Sequence, residues 1–454
     1  MHSLIKVLYI SSRGDAGAGG ENYLLTLFRN LDRKRFQPIV VLPNDGSLRK
    51  PLEDLAIEVI VIEANHGWLK PDRAWYGLVA GLQSRVKAIA DIITAKQIAI
   101  VHTNSNHRFE GALAARLTGI PHLYLAHIEY QPDMPLFQRL PFSPAGFAEL
   151  MSELSDQVVA VSDSVSATLA AHVADDRLQV IHNGLELSVF DTALANSSNR
   201  LKAALKLPPD CLLITAVGRI APDKGFDYFV DAARLVLQKH QHNVHFIIAG
   251  GEENLDFANG LKQKVIDYAI SDNFHFLGFR ADVADILAVS DIFVLSSRKE
   301  GHPYVMLEAM ASECAVVASN CAGVEETIED GNSGFIVPIG DINAMTERLL
   351  SLIDSVDLRY SLAKSAKKRI KAFFTADKTA TELMAVYEKL LRQPKKPAGS
   401  IAVELFLQNC TELGHLGKMN VEMNERLRRV EHLADFIQNN PVAKSLRYFR
   451  QQLR

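Results

Sequence analysis

Twice along this chain, short apolar runs that stop at Gly, Ser or Asn alternate with longer stretches of helical periodicity, and this alternation restricts the fold more than any other feature. A short, almost wholly apolar run is a strand buried on both faces, and such strands joined through helices form parallel α/β domains. In the first half the runs predict strands at Ile5–Ser12, Pro38–Leu42, Val59–Ile62, Ile100–Asn104, His122–His127 and Gln157–Val161. The pattern restarts at Leu212–Val217 and continues at His245–Gly250, His275–Leu277, Ile292–Ser296, Ala315–Ser319 and Gly334–Val337. Between the halves, Asp191–Asp210 is polar and Pro-containing, a connector around one short helix, and the domain break falls near Ser188. The expected units are residues 1–187, residues 188–374, a helix over 375–392 and a mostly helical extension over 393–454 that ends in a basic stretch. Two doubly wound sheets take ligands at the carboxyl ends of their strands, so the functional groups belong in a cleft between the halves.

Composition excludes several classes. A net charge of −4 argues against a nucleic-acid binder. Cys211, Cys314, Cys321 and Cys410 are widely spaced with no CxxC pair, which suggests neither a zinc knuckle nor a disulfide framework and fits a reducing cytoplasm. MHSLIKVLYISS has too short an apolar run for a signal peptide and reads as a first strand, and no apolar run reaches the ~18 residues a membrane span requires.

Chemistry concentrates in three segments. Glu300–Ser312, EGHPYVMLEAMAS, sets two carboxylates eight positions apart around a helix start: Pro303 suits a first helical turn, which leaves Glu300 in the preceding loop and Glu308 on the helix. Were all eight steps helical, the two Cα atoms would stand about 12 Å apart at ~1.5 Å per residue, which fits two groups of one long ligand. The free N–H groups between them attract phosphate. A second segment, AVGRIAPDKGFDYF, carries Gly218, Arg219 and Lys224 at the carboxyl end of a strand, where Arg can fork onto phosphate oxygens and Lys adds a mobile charge. The third, Arg13–Glu21 (RGDAGAGGE), precedes a helix expected from Asn22 and also presents N–H groups to an anion. It is not the dinucleotide fingerprint, because Asn22 stands where the third glycine would fall, and GxxxxGK[ST] is missing. His127 ends a strand beside the expected cleft, and Ser162 and Asn183 are turn or cap residues at other strand ends. His102 and His107 have no third ligand near in sequence, so no metal site is expected.

Taken in order, the N-terminal GGE, IHNG, GRIAPDKG, EGHPYVMLEAM and CAGVEETIEDGNSGFIVPIGD resemble family 4 of the retaining nucleotide-sugar glycosyltransferases over about Ile5–Leu391. The resemblance implies the GT-B fold, two Rossmann-like domains facing across a cleft. It implies that Glu300 touches the transferred hexose, Glu308 the ribose hydroxyls, Arg219 and Lys224 the diphosphate, Gly19 and Gly20 the loop beside it, and His127 the sugar near the reacting carbon. Glu326 matches the acid after the family's GG or AG turn, although Glu325 stands where Pro is common. Gly301, His302 and Pro303 replace a frequent Gly-Phe-Gly, a departure that bears on sugar selectivity and leaves the reaction class intact. Backbone around Gly278–Arg280 and Ser296–Arg298 is expected to recognise the base.

The implied reaction moves a hexose, with retention, from a UDP-, GDP- or ADP-sugar to a glycan or lipid-linked acceptor without a metal or other cofactor. A glycosidase would instead need an acid of raised pKa to protonate a poor leaving group and would have no use for phosphate-binding residues. A catalytically silent nucleotide-sugar sensor or assembly partner, or a nucleotide-sugar hydrolase or epimerase, would share the binding residues. Lys444–Arg454 (KSLRYFRQQLR) alternates cations with apolar side chains, as an interfacial helix on the inner face of an anionic membrane does.

Overall fold

The computed structural model describes residues 4–439 except 18, 65–78, 80, 135, 139–141, 199, 241–242 and 395–396. The basic stretch Lys444–Arg454 lies outside the described residues.

The first sheet contains β1 (Ile5–Ser11), β2 (Phe36–Leu42), β3 (Glu58–Val61), β4 (Ile100–Asn104), β5 (His122–Ala126), β6 (Gln157–Ala160) and β7 (Leu178–Val180), in the order β3-β2-β1-β4-β5-β6-β7. The second contains β8 (Leu212–Val217), β9 (Val244–Ala249), β10 (Phe274–Phe276), β11 (Ile292–Leu295), β12 (Ala315–Ser319) and β13 (Phe335–Val337), in the order β10-β9-β8-β11-β12-β13. The pairings in both sheets are parallel, as β1 against β4 from Val7–Ile100 to Ser11–Asn104 illustrates. Strand order reverses between β1 and β4 and again between β8 and β11, and at each reversal the loops diverge to open a crevice.

Two expectations need correction. The first sheet has seven strands where the apolar runs indicate six. The additional β7 is a three-residue edge strand whose central Gln179 is exposed, so it carries no apolar run to read. The connector holds two helices, Leu187–Ala195 and Arg200–Ala204, instead of one.

The core explains how the halves are held. One apolar cluster runs from β1 (Val7, Tyr9) through the Ala376–Arg392 helix (Leu383, Tyr387) to the Tyr304–Ala311 helix of the second half (Met306, Leu307), while a separate cluster lies under β8–β10. Tyr387 is buried against the first half, its hydroxyl bonded to Tyr9 at 2.9 Å and to His102 Nδ1 at 2.7 Å. The chain thus crosses back to the first lobe by burying an aromatic with a satisfied polar tip. The final helix, Ile401–Asn439, lays Val403, Leu407 and Cys410 on that lobe, while Leu405, Leu416, Met419 and Met423 stay exposed. No helix among the described residues is long and apolar enough to cross a membrane.

Candidate active site

The floor of the second lobe's crevice is built from strand ends. β8, β9 and β10 each lead into a glycine, Gly218, Gly250 and Gly278, and backbone bonds hold these ends side by side: Gly218 N–H donates to Ala249 and Gly250 N–H to Gly278. Beyond β8 the chain makes a 3-10 turn at Pro222–Lys224 and enters the Phe226–Lys239 helix through Gly225. Gly225 has φ of 60°, and a Cβ there would lie 2.0 Å from the Ser296 carbonyl oxygen, so only glycine fits where the loops after β8 and β11 meet. Those loops are stitched together by Ser296 Oγ donating to the Lys224 carbonyl (3.0 Å), Arg298 N–H donating to the Asp223 carbonyl (2.8 Å) and Arg298 forking onto Asp227. Arg298 also stacks on Tyr228, so this side chain of the expected base loop is already used inside the lobe.

This stitching brings Arg219, Lys224 and Glu300 together. Lys224 Nζ and Ser297 Oγ both donate to Glu300 Oε1 at 2.7 Å, and Oε2 has no partner among the described residues. Arg219 pairs with Glu253 and, at 3.5 Å, with Asp223. Burial works against the Arg219 charge, but Glu253, Asp223 and Glu300 outweigh it and hold its pKa above the ordinary value. Ser297 lies in the Ser296–Arg298 stretch expected to offer backbone to the base, and its side chain instead serves Glu300; Glu253 belongs to no sequence motif. A serine after a strand and a single loop acid carry no spacing signal.

Pro303 caps the Tyr304–Ala311 helix, so Glu300 is in the loop and Glu308 is within the helix. The Glu308 carboxyl is half-buried, has no partner among the described residues, and is pushed up to about 7 by burial. With no protein partner among the described residues and a proton kept up to about pH 7, this carboxyl can donate to a ligand hydroxyl or, once ionised, accept from one.

The first lobe closes over this floor. Gly301 packs so tightly under the end of β5 that a Cβ would sit 1.8 Å from the His127 carbonyl oxygen. His127 is half-buried, its Nε2 2.7 Å from Asn104 Oδ1. Because Asn104 Nδ2 donates to the Gly20 carbonyl, Oδ1 must accept, which puts the His127 proton on Nε2. Burial lowers the pKa of this imidazole to about 4, so it is neutral at pH 7. Gly19 and Gly20 are not in a loop: the helix Gly19–Asn30 starts three residues before the expected Asn22. Its first turn rests on contacts to β4 and buries Glu21, whose carboxylate accepts from Ser12 Oγ at 3.3 Å, and these outweigh the poor helix propensity of two glycines.

His302 faces away from the crevice floor, into the seam between lobes. Asn183 N–H donates to its Nδ1 (3.1 Å), its Nε2 donates to Thr327 Oγ1 (3.0 Å), and Asn183 Nδ2 donates to its carbonyl (2.8 Å). Burial lowers its pKa to about 3, in keeping with a neutral ring whose two nitrogens are both engaged. Glu326 spans the same seam, accepting from His182 Nε2 and from the Asp163 N–H (2.7 Å). Asp163, His182 and Glu326 are close enough to surround an ion, but the His182–Glu326 bond already occupies two of the three ligand atoms. Ser162 caps the Asp163–Leu169 helix, as its position suggests, by accepting from Val165 N–H.

The arrangement therefore offers two cations and an acid with one free oxygen at a strand-order reversal, a second acid on the adjoining helix, and a neutral histidine from the opposite lobe. The family model described as Glycosyltransferase Family 4 matches residues 17–189, and that described as Glycosyl transferases group 1 matches residues 212–355. The chain belongs to this family of glycosyltransferases. It is similar to the UDP-Gal:alpha-D-GlcNAc-diphosphoundecaprenol alpha-1,3-galactosyltransferase of Escherichia coli, 23% identical over 392 residues spanning 85% of this chain and 97% of that one. It is also similar to the N,N'-diacetylbacillosaminyl-diphospho-undecaprenol alpha-1,3-N-acetylgalactosaminyltransferase of Campylobacter jejuni, 25% identical over 360 residues, 77% of this chain and 91% of that one. Among solved structures, Anabaena Alr3699/HepE in complex with UDP-glucose shares the fold with a TM-score of 0.71 at 21% identity, over 85% of this chain and 100% of that one. Both halves are the Rossmann-like domains of the GT-B fold.

Proposed function

We propose that this glycosyltransferase moves a hexose from a nucleoside-diphosphate sugar to a hydroxyl of a lipid-linked or glycan acceptor, with retention and without a metal. The observation that carries the reading is the meeting of Arg219, Lys224 and Glu300 where strand order reverses between β8 and β11. A nucleoside diphosphate is already a fair leaving group, so the barrier lies in negative charge growing on the diphosphate and positive charge on the sugar ring. Arg219 and Lys224 stabilise the first. Glu300 lies beside the second, and its free Oε2 accepts from a sugar hydroxyl. Glu308 takes the ribose hydroxyls, backbone beside Gly278 the base, and the Gly19–Gly20 turn the space next to the diphosphate. His127, neutral and held by Asn104, contacts the sugar near the reacting carbon as an uncharged polar group. The acceptor hydroxyl attacks on the face from which the diphosphate departs, which retains the anomeric configuration.

The two relatives named above act on sugars carried by diphosphoundecaprenol, and this supports an acceptor on a polyprenyl diphosphate. HepE in complex with UDP-glucose supports a nucleotide-sugar donor, with UDP, GDP and ADP sugars all to be tried. The exposed Leu416, Met419 and Met423, followed by the cation-rich Lys444–Arg454, support peripheral contact with an anionic membrane, where such an acceptor resides. Equal sedimentation with anionic liposomes before and after truncation at Pro397 would remove that part.

The function is tested by measuring nucleoside diphosphate release with and without lipid-linked acceptors bearing a single sugar. Release that depends on acceptor, with label appearing in the lipid, is the expected result. Acceptor-independent release would make the chain a hydrolase, and donor binding with no release would make it a sensor. The anomer of the product, read by NMR, tests retention.

A further inference from the structure

The charges around the two cations do not suit an incoming anion. Arg219 and Lys224 face three acids, Glu253, Asp223 and Glu300, and a diphosphate would add at least two more negative charges. One acid has to give way, and the three differ in how firmly they are held. Glu300 is 12% exposed and receives two hydrogen bonds on one oxygen. Asp223 belongs to the 3-10 turn, and its carbonyl is tied to the Arg298 N–H. Glu253 is 45% exposed, lies in the loop between β9 and the Leu255–Asp267 helix, and has Arg219 as its only side-chain partner among the described residues. A carboxylate oxygen on a guanidinium N–H is also the nearest protein equivalent of a phosphate oxygen there.

We propose that Glu253 is a built-in competitor for the donor's diphosphate: it occupies Arg219 Nη1, swings into solvent when the diphosphate binds, and returns to help expel the nucleoside diphosphate product. This rests on the reading of Arg219 as a diphosphate ligand. It makes Glu253 a determinant of donor and product affinity that touches no reacting atom.

The test is isothermal titration of the intact chain with UDP, GDP and ADP. Glu253→Gln keeps the size of the side chain and removes its charge. Because the pair is half-exposed, the nucleotide that binds best should bind about two- to fivefold more tightly to this variant. Product inhibition in turnover should strengthen by the same factor. Glu252→Gln is the control, since Glu252, on the same loop, pairs with Lys262 and should leave affinity unchanged. Unchanged or weaker binding by Glu253→Gln would overturn the proposal, weaker binding meaning that Glu253 orients Arg219 for the ligand. Arg219→Ala separates the two readings: if it binds nucleotide as well as wild type, the diphosphate site itself is misassigned, whereas lost binding there with no gain in Glu253→Gln sinks the competitor alone.

Discussion

Lys224 and Glu300 meet on a single carboxylate oxygen, Oε1, which Ser297 also engages, so the lysine that would hold the diphosphate also orients the acid that would hold the sugar. Removing the lysine therefore costs twice. Lys224→Ala should lower turnover by about 10²-fold or more, the size seen for loss of one transition-state donor, and Ser297→Ala should cost less because the charge remains. Steady-state donor turnover checks both, and wild-type rates in Lys224→Ala would take the lysine out of the chemistry.

Glu308 gives a pH signature with a fixed sign. Its carboxyl keeps a proton up to about pH 7 in the folded chain but loses it near the ordinary 4.5 when unfolded, so ionisation of the unfolded state draws stability down as pH rises between these values. Glu308→Gln cannot ionise, and its melting temperature relative to wild type should climb from pH 4.5 to 7 and then level off. If ribose hydroxyls donate to this carboxylate, nucleotide affinity of wild type should also improve as pH rises through 7, and that of Glu308→Gln should not. Parallel curves for the two proteins would contradict both statements.

His302 ties the loop of Glu300 to the segment that crosses between lobes. His302→Phe leaves the buried Asn183 N–H without its acceptor, and a buried unpaired donor costs roughly 1–3 kcal/mol of stability. The loss should be non-additive with Thr327→Val, because either substitution removes the one bond between those two side chains, His302 Nε2 to Thr327 Oγ1. Thermal melts of the two single variants and the double variant measure this, and additive losses would show that the seam does not act through the pair.

Gly301 sets how closely the lobes approach. An alanine Cβ 1.8 Å from the His127 carbonyl oxygen cannot be accommodated without moving backbone, so Gly301→Ala should push β5 and the Glu300 loop apart. Turnover should fall by about 10²-fold, as misplacement of reacting groups by an ångström does, while the separate core under β8–β10 stays folded. Near wild-type turnover would mean that the closed seam is not the working geometry.

Strands were legible because those of the two sheets are mostly buried on both faces and so read as unbroken apolar runs; β7, short and with Gln179 outward, was not. The start of the first helix was hidden because Gly19 and Gly20 are weak helix formers held by tertiary contacts to Asn104. The positions of Glu300 and Glu308 on either side of a helix start followed from one proline. What His302 does could not be read, since its partners are 119 residues upstream at Asn183 and 25 downstream at Thr327, and only the folded chain brings them together. Glu253 was invisible for the same reason: its meaning comes entirely from the arginine it faces.

The most direct measurement is a crystal structure of the wild-type chain with whichever of UDP, GDP or ADP binds most tightly. The diphosphate should lie within hydrogen-bond distance of both Arg219 and Lys224, with the ribose on Glu308 and Glu253 turned to solvent. A diphosphate bound elsewhere, with Arg219 still on Glu253, would contradict the assignment of this crevice as the donor site.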